Sequence, residues 1–208
     1  MKGAIVGLDP FNPLASVIIF QYNPDTLSRT LNARTTSTPW QQSNPTQALR
    51  LAGPPTETIR MEIELDAADQ LAEGDGIAEA VGVTPALAAI EMLLYPKTAL
   101  IVANKVLAAA GVIEVIAPEA PMVLLVFGPT RVLPVRLTEL SITEQLFGPS
   151  LNPIQAKVSL NVRVLNYDDL GLATVGGGLF LAYQISREVM ATISSVGGVV
   201  DAVAGIGG

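Results

Sequence analysis

From Lys157 to Val164 apolar and polar residues alternate without an error: Val158, Leu160, Val162 and Val164 against Lys157, Ser159, Asn161 and Arg163. Side chains of a β-strand point alternately to its two faces, so this run reads as a strand with one buried and one wet face. It constrains its partner, because a slip by one residue would turn the whole apolar set to solvent. A partner stands directly upstream, across the Gly/Pro/Asn-rich turn of residues 148–153. There Val135 and Leu137 occupy odd positions, but Leu140, Ile142 and Leu146 occupy even ones. A flip of parity near Thr138 implies a bulge, or a strand passing from one sheet surface to another. Together the two segments predict a long β-hairpin with one apolar face.

Other segments extend a mainly β reading. In TIRMEIELD, Ile59, Met61, Ile63 and Leu65 alternate with Arg60, Glu62 and Glu64, a second half-buried strand. SVIIFQY (16–22) and MVLLVFG (122–128) are short apolar runs bounded by turn residues, expected as buried strands. Residues 29–55 are rich in Thr, Ser, Gln, Asn and Pro around the lone Trp40 and show no helical period; they read as a long loop or extended arm. Thr84-Pro85 reads as a helix N-cap with proline at the first helical position, opening a helix that buries Leu87, Ile90, Leu93 and Leu94 and ends at Pro96. A second helix is expected to Ala110, closed by Gly111, with a short strand after it. Toward the end, Gly176 to Gly178 read as a hinge. A candidate amphipathic helix follows from Leu179 to about Ile193, with Leu181, Ile185, Val189 and Ile193 on one face, and then a Gly/Val/Ala tail that is flexible or packed against something else.

The residue inventory narrows the chemistry. There is no histidine and no cysteine among 208 residues, which removes the usual zinc ligand sets, the cysteine nucleophile, the Ser-His-Asp arrangement and any disulfide. A formal charge of −7 disfavours nucleic acid as a partner, since phosphate contacts need a basic surface. The acidic segment 66–76 lacks the ligand spacing of a calcium loop, and no Gly-Lys-Ser/Thr follows the triple glycine as a phosphate loop requires. Asp168-Asp169 is poorly placed as a catalytic pair, because adjacent side chains on a strand point to opposite faces. The N-terminal stretch, broken by Asp9, Pro10, Asn12 and Pro13, is a poor signal peptide. Arg187 is the single cation of the C-terminal candidate helix, which argues against a membrane anchor. No catalytic, cofactor-binding or metal-binding residue is assigned, and no enzyme activity or cofactor is expected.

Four segments taken in order resemble a known family: FQYNPDTLSR at 20–29, ETIRMEIELD at 57–66, VFG at 126–128 and LSITEQLFGPSLNPIQAKVSLNVRV at 140–164. They are similar to the tube-type domain of contractile injection systems, the headless phage-tail-like particles of bacteria, and most of all to the tube-initiator or baseplate adaptor component. The likeness covers roughly residues 15–166 and rests on the order of the motifs together. Phe127 stands where the family often has tryptophan, and where many adaptors continue into a LysM-type domain this chain has the hinge, helix and Gly/Val/Ala tail after residue 170.

The resemblance implies an α+β, mainly β fold: a tube-type β-barrel or sandwich with a packed helix over residues 1–170, and a C-terminal extension of hinge, helix and tail over 171–208. It implies a structural role, with six-fold ring closure, and contacts with the spike hub, with inner-tube subunits and, through the tail, with other baseplate components. It further implies assembly in the bacterial cytoplasm as part of an injection particle, without membrane insertion. The bulk inner-tube subunit is the alternative within the class, and a small-molecule-binding β-barrel the alternative outside it.

Overall fold

The structure, a computed structural model, describes residues 2–8, 17–35, 50–95, 98–109, 111 and 122–206. The strands are β1 (Ala4–Leu8), β2 (Val17–Ile19), β3 (Leu27–Asn32), β4 (Thr56–Asp66), β5 (Met122–Val126), β6 (Val132–Phe147) and β7 (Pro153–Val164). The helices are α1 (Ala68–Ala72), α2 (Gly76–Val81), α3 (Thr84–Glu91), α4 (Thr98–Ala109), α5 (Tyr167–Leu170) and α6 (Val175–Ile206). The seven strands form one antiparallel sheet in the order β2-β1-β5-β6-β7-β4-β3. The α+β class expected from sequence therefore holds. The sheet is open rather than closed into a barrel within the chain: among the described residues β2 pairs only with β1, and β3 only with β4.

Alternation decides how the centre of this sheet is built. Ile59, Met61, Ile63 and Leu65 of β4 stand opposite Val162, Leu160, Val158 and Ala156 of β7, and all eight are buried. On the other side of β7, Leu137 faces Val162 while Glu139 faces Asn161, so Thr138 is the extra residue of a bulge. Its hydroxyl donates to the Asn161 carbonyl at 3.0 Å. The bulge restores parity: Leu133, Val135 and Leu137 point into the core before it, and Leu140 and Ile142 pack against the core after it. Helix α3 adds Leu87 and Ile90 to the same core, Leu93 follows from the turn beyond, and α6 adds Phe180 and Tyr183.

Several expectations need correction. Residues 29–32, expected in the polar arm, belong to edge strand β3. The base of the remaining arm is pinned by a bridge between Thr35 and Leu51 and by the Ala52 N–H donating to the Arg34 carbonyl at 2.7 Å; Trp40 and residues 36–49 lie outside the described residues. β2 is buried on one face only, because it is an edge strand whose Val17 and Ile19 turn outward while Ile18 turns in. β5 buries Val123 and Leu125 fully and Met122, Leu124 and Val126 partly. α3 is capped by Val83, which places Thr84 and Pro85 inside the first turn; Leu94 is exposed, and Pro96 lies outside the described residues. α4 ends at Ala109, with Gly111 beyond it at φ 80°, and the strand expected after it lies outside the described residues. β1, unassigned from sequence, is an inner strand between β2 and β5.

The triple glycine, expected as a hinge, is helical. Gly176 to Gly178 lie in the first turn of α6, and the helix continues over the expected tail to Ile206. A Cβ on Gly177 would stand 2.2 Å from the Gly171 carbonyl oxygen, and one on Gly176 would stand 2.5 Å from Leu170 Cδ1. The glycines let α6 start tightly against the chain that leads into it.

Candidate functional site

The residues first considered for chemistry are spent on local structure. Asp168 pairs with Arg34 at 2.8 Å and Asp169 with Arg163 at 2.8 Å. Both lie in α5, whose capping box has Asn166 Oδ1 accepting from the N–H groups of Asp168 and Asp169, while the Asp169 carboxylate accepts from the Asn166 N–H. In the acidic segment, Asp66 accepts from the Ala68 N–H at 2.7 Å and Asp75 caps α2 through the Ile77 N–H at 2.9 Å. Among the described residues no group of three or more acidic side chains is placed to hold a metal ion.

What the fold offers instead is surface of three kinds. The first is the polar face of β3, β4, β7 and the outer half of β6. Arg60 donates to Asn161 Oδ1 at 3.2 Å, and Asn161 in turn donates to Glu139 at 3.0 Å. Further along, Gln155 donates to Glu64 at 2.8 Å. These cross-strand pairs make a hydrophilic ladder around a shallow hollow of about 310 Å³, lined by Arg60, Glu62, Glu139, Ser141 and Asn161 among others. Charges of both signs neutralise one another locally, so the face is wetted without being selective for one sign of partner.

The second kind is the pair of open edges. β2 presents three residues with Val17 and Ile19 more than half exposed, and β3 presents six, with Leu31 exposed. Each edge carries backbone donors and acceptors along the side that no described strand pairs.

The third is the tip of the β6–β7 hairpin. Leu146, Phe147 and Leu151 are all exposed there, Leu151 at 79%. The tip is nonetheless firmly built: the Gly148 N–H donates to the Asn152 carbonyl and the Leu151 N–H to the Gly148 carbonyl, both at 2.9 Å. Leu146 and Leu151 adopt φ values of 51° and 61°, a left-handed conformation that costs a branched side chain roughly 1–2 kcal/mol. Folding gains little from an exposed leucine at such a position. Leu151→Gly is therefore expected to raise the unfolding free energy by about 0.5–1 kcal/mol in urea titrations. A loss of stability would show that Leu151 packs within its own chain.

One buried ion cluster fastens the C-terminal helix to the sheet. Glu57 shares the inward parity of Ile59 and is only 3% exposed. Arg29 of β3 grips it through Nε and Nη2, both 2.6 Å from Oε1, and Arg29 Nη2 also donates to the Tyr183 hydroxyl of α6 at 2.8 Å. From the next turn of α6, Arg187 reaches Glu57 Oε2 at 3.6 Å and stacks over the Tyr183 ring. Burial by itself lowers the Arg29 pKa, but the hydrogen bond and charge of Glu57, with Tyr183 beside it, outweigh burial and raise it. A base raised in the folded state contributes stability that is whole below its unfolded pKa and lost as pH climbs through the folded one. For arginine that window is strongly alkaline, so its raised pKa adds no pH dependence near neutrality.

No residue of this cluster, of the edges or of the tip was singled out from sequence as functional. Glu57 left a readable signal, since an acid on the parity of four apolar residues needs a buried cation. The geometry defines a class of fold: an antiparallel α+β sheet with open edges, a wet face and a helix held on by ions. No protein-family model matches the chain, and a search of the curated proteins finds no match.

Proposed function

We propose that the chain is a structural subunit of a contractile injection system, a ring-forming tube initiator or baseplate adaptor between the spike hub and the inner tube. The observation that carries this reading is the pair of open edges at opposite ends of one antiparallel sheet. Copies placed around an axis can continue the sheet from the β3 edge of one to the β2 edge of the next. Such a head-to-tail contact closes into a ring when the rotation permits. The order of the motifs FQYNPDTLSR, ETIRMEIELD, VFG and LFGPSLNPIQAKV supplies the specific class. A hydrophilic ladder suits the lining of a water-filled channel, and the exposed hairpin tip suits an axial contact with a hub or a tube layer.

The mechanism is geometric. One rim of the ring would match the hub and the other would template the first layer of tube subunits. Helix α6, which has no use within a compact tube repeat, favours the adaptor over the bulk subunit. Ring assembly belongs to the bacterial cytoplasm on this reading. No described helix is long and apolar enough to cross a membrane.

The test is the copy number per purified particle, measured by quantitative mass spectrometry against the sheath subunit. About six copies, one closed ring, is the expected result. A number equal to the sheath would make the chain the bulk tube subunit. Absence from particles would overturn the reading and favour the ligand-binding alternative.

A further inference from the structure

Edge strand β3 has little apolar surface of its own to hold it in place. Its pairing with β4 sets Leu27, Arg29 and Leu31 opposite the buried Met61, Ile59 and Glu57, so these three look toward the core. Leu27 packs against the core, Leu31 is exposed and Arg29 is a cation. A strand with one laddered side and one apolar anchor is an element that opens locally while the rest of a sheet stays closed.

The further support of β3 comes from the other end of the chain. Arg29 donates to the Tyr183 hydroxyl of α6 at 2.8 Å as well as to Glu57 of β4. Arg34, two residues beyond β3, donates to Asp168 of α5 at 2.8 Å, and its carbonyl accepts from the Ala52 N–H. Gly53 leaves room for that carboxylate, since a Cβ there would stand 2.5 Å from Asp168 Oδ2.

The two helices act as one body. Gly177 closes on the Gly171 carbonyl, and the Tyr167 and Phe180 rings meet edge to face at 5.8 Å. This body is rooted at the centre of the sheet, by Phe180 and Tyr183 in the core and by Asp169 on Arg163 of β7. From there it reaches the edge segment at two points, Arg29 and Arg34.

We propose that the α5–α6 unit is a clamp that orders the β3 edge, so that β3 receives a strand from outside only while the helices are seated. By linkage, a strand added to β3 tightens the seat of α6 in return. The Tyr183 hydroxyl is the stronger point of the clamp, a partly buried bond to a charged donor. Arg34 and Asp168 each keep 40% of their side-chain surface in water, so their pair adds position more than energy. The clamp stands independently of the ring, whereas its consequence for assembly rests on the reading of β3 as a pairing edge.

Tyr183→Phe and Asp168→Asn remove the two contacts and keep the shapes, and the α5 capping box is made by Asn166 and Asp169. In hydrogen exchange on the full-length chain carrying both changes, amides of 27–34 are expected to lose protection about tenfold or more. Residues 179–187 of α6 should lose less, and the β4–β7 ladder should keep its protection. Unchanged protection at 27–34, or an equal loss along the ladder, would overturn the proposal. Assembled mass from light scattering reads the consequence, with Thr30→Pro as a direct block of the edge. Both the double variant and Thr30→Pro are expected to lower it. A mass lowered by Thr30→Pro but not by the double variant would overturn the control of the edge by α6. A mass that neither changes would overturn the pairing-edge reading instead, and the exchange result would then decide the clamp by itself.

Discussion

Gly82→Ala is expected to lower the unfolding free energy by about 3 kcal/mol or more, the largest loss anticipated from any single methyl group in this chain. Gly82 closes α2 at φ 56° and ψ −135°, a conformation open to glycine and costly for any residue with a Cβ. A Cβ there would sit 2.1 Å from the Pro153 carbonyl oxygen and 3.0 Å from its carbon. Neither atom belongs to a side chain that can rotate away. That same oxygen accepts from the Val83 N–H at 2.9 Å, and the Asn152 side-chain amide next to it donates to the Ala80 carbonyl. The contact is thus the joint at which the α2–α3 turn is fastened to the base of the hairpin, and relieving the clash means giving up both bonds. Gly74→Ala is the control. Gly74 has φ 76° but nothing within 4 Å of its would-be Cβ, so it should show the backbone cost alone, about 1 kcal/mol. Urea midpoints at constant m-value separate the two. Equal losses would mean that the joint is loose.

The joint also explains which parts of this fold could be read from the chain. Strands β4, β6 and β7 were legible because β4 and β7 bury one face along their length and β6 alternates on either side of its bulge, and alternation is a local signal. The bulge at Thr138 was legible for the same reason, since a change of parity is visible wherever the flanking pattern is regular. β1 was not: AIVGL is five residues with a glycine inside, and its place between β2 and β5 depends on segments distant in sequence. β3 was concealed by function of another kind. Arg29 turns inward to meet Glu57, so a charged residue occupies the position where alternation would look for an apolar one, and LSRTLN reads as loop.

The candidate surfaces were less legible than the fold. Being an edge is a property of the order of strands in the finished sheet, and no run of residues states it. The stripe on α6 was visible as a period, but the side of the helix that meets the sheet was not, because its seat is set by Gly176 and Gly177 and the aromatic pair Phe180 and Tyr183.

Glu57→Gln is expected to cost about 2–3 kcal/mol and to loosen α6 before the sheet. Removing one partner of a buried pair commonly costs about 3–5 kcal/mol, because the other charge is left unpaired. Arg29 and Arg187 keep 23% and 43% of their side-chain surface in water, which reduces that cost, and a neutral amide retains the shape. Arg29→Met is the harsher change, since it leaves a carboxylate that is 3% exposed with Arg187 at 3.6 Å as its remaining cation. Combining the two should be less damaging than their sum by about 1.5 kcal/mol or more, the coupling expected of side chains in direct contact. Hydrogen exchange distinguishes a latch from general stabilisation. If Glu57 holds the helix, Glu57→Gln lowers protection along 179–187 of α6 while the β4–β7 ladder keeps its own, because the ladder rests on Ile59, Met61, Val162 and Leu160 rather than on the ion cluster. Uniform loss across sheet and helix would instead make the cluster part of one cooperative core. In that event α6 could not be released without unfolding the sheet, and any contact it makes with another molecule would have to form with the helix in its present seat.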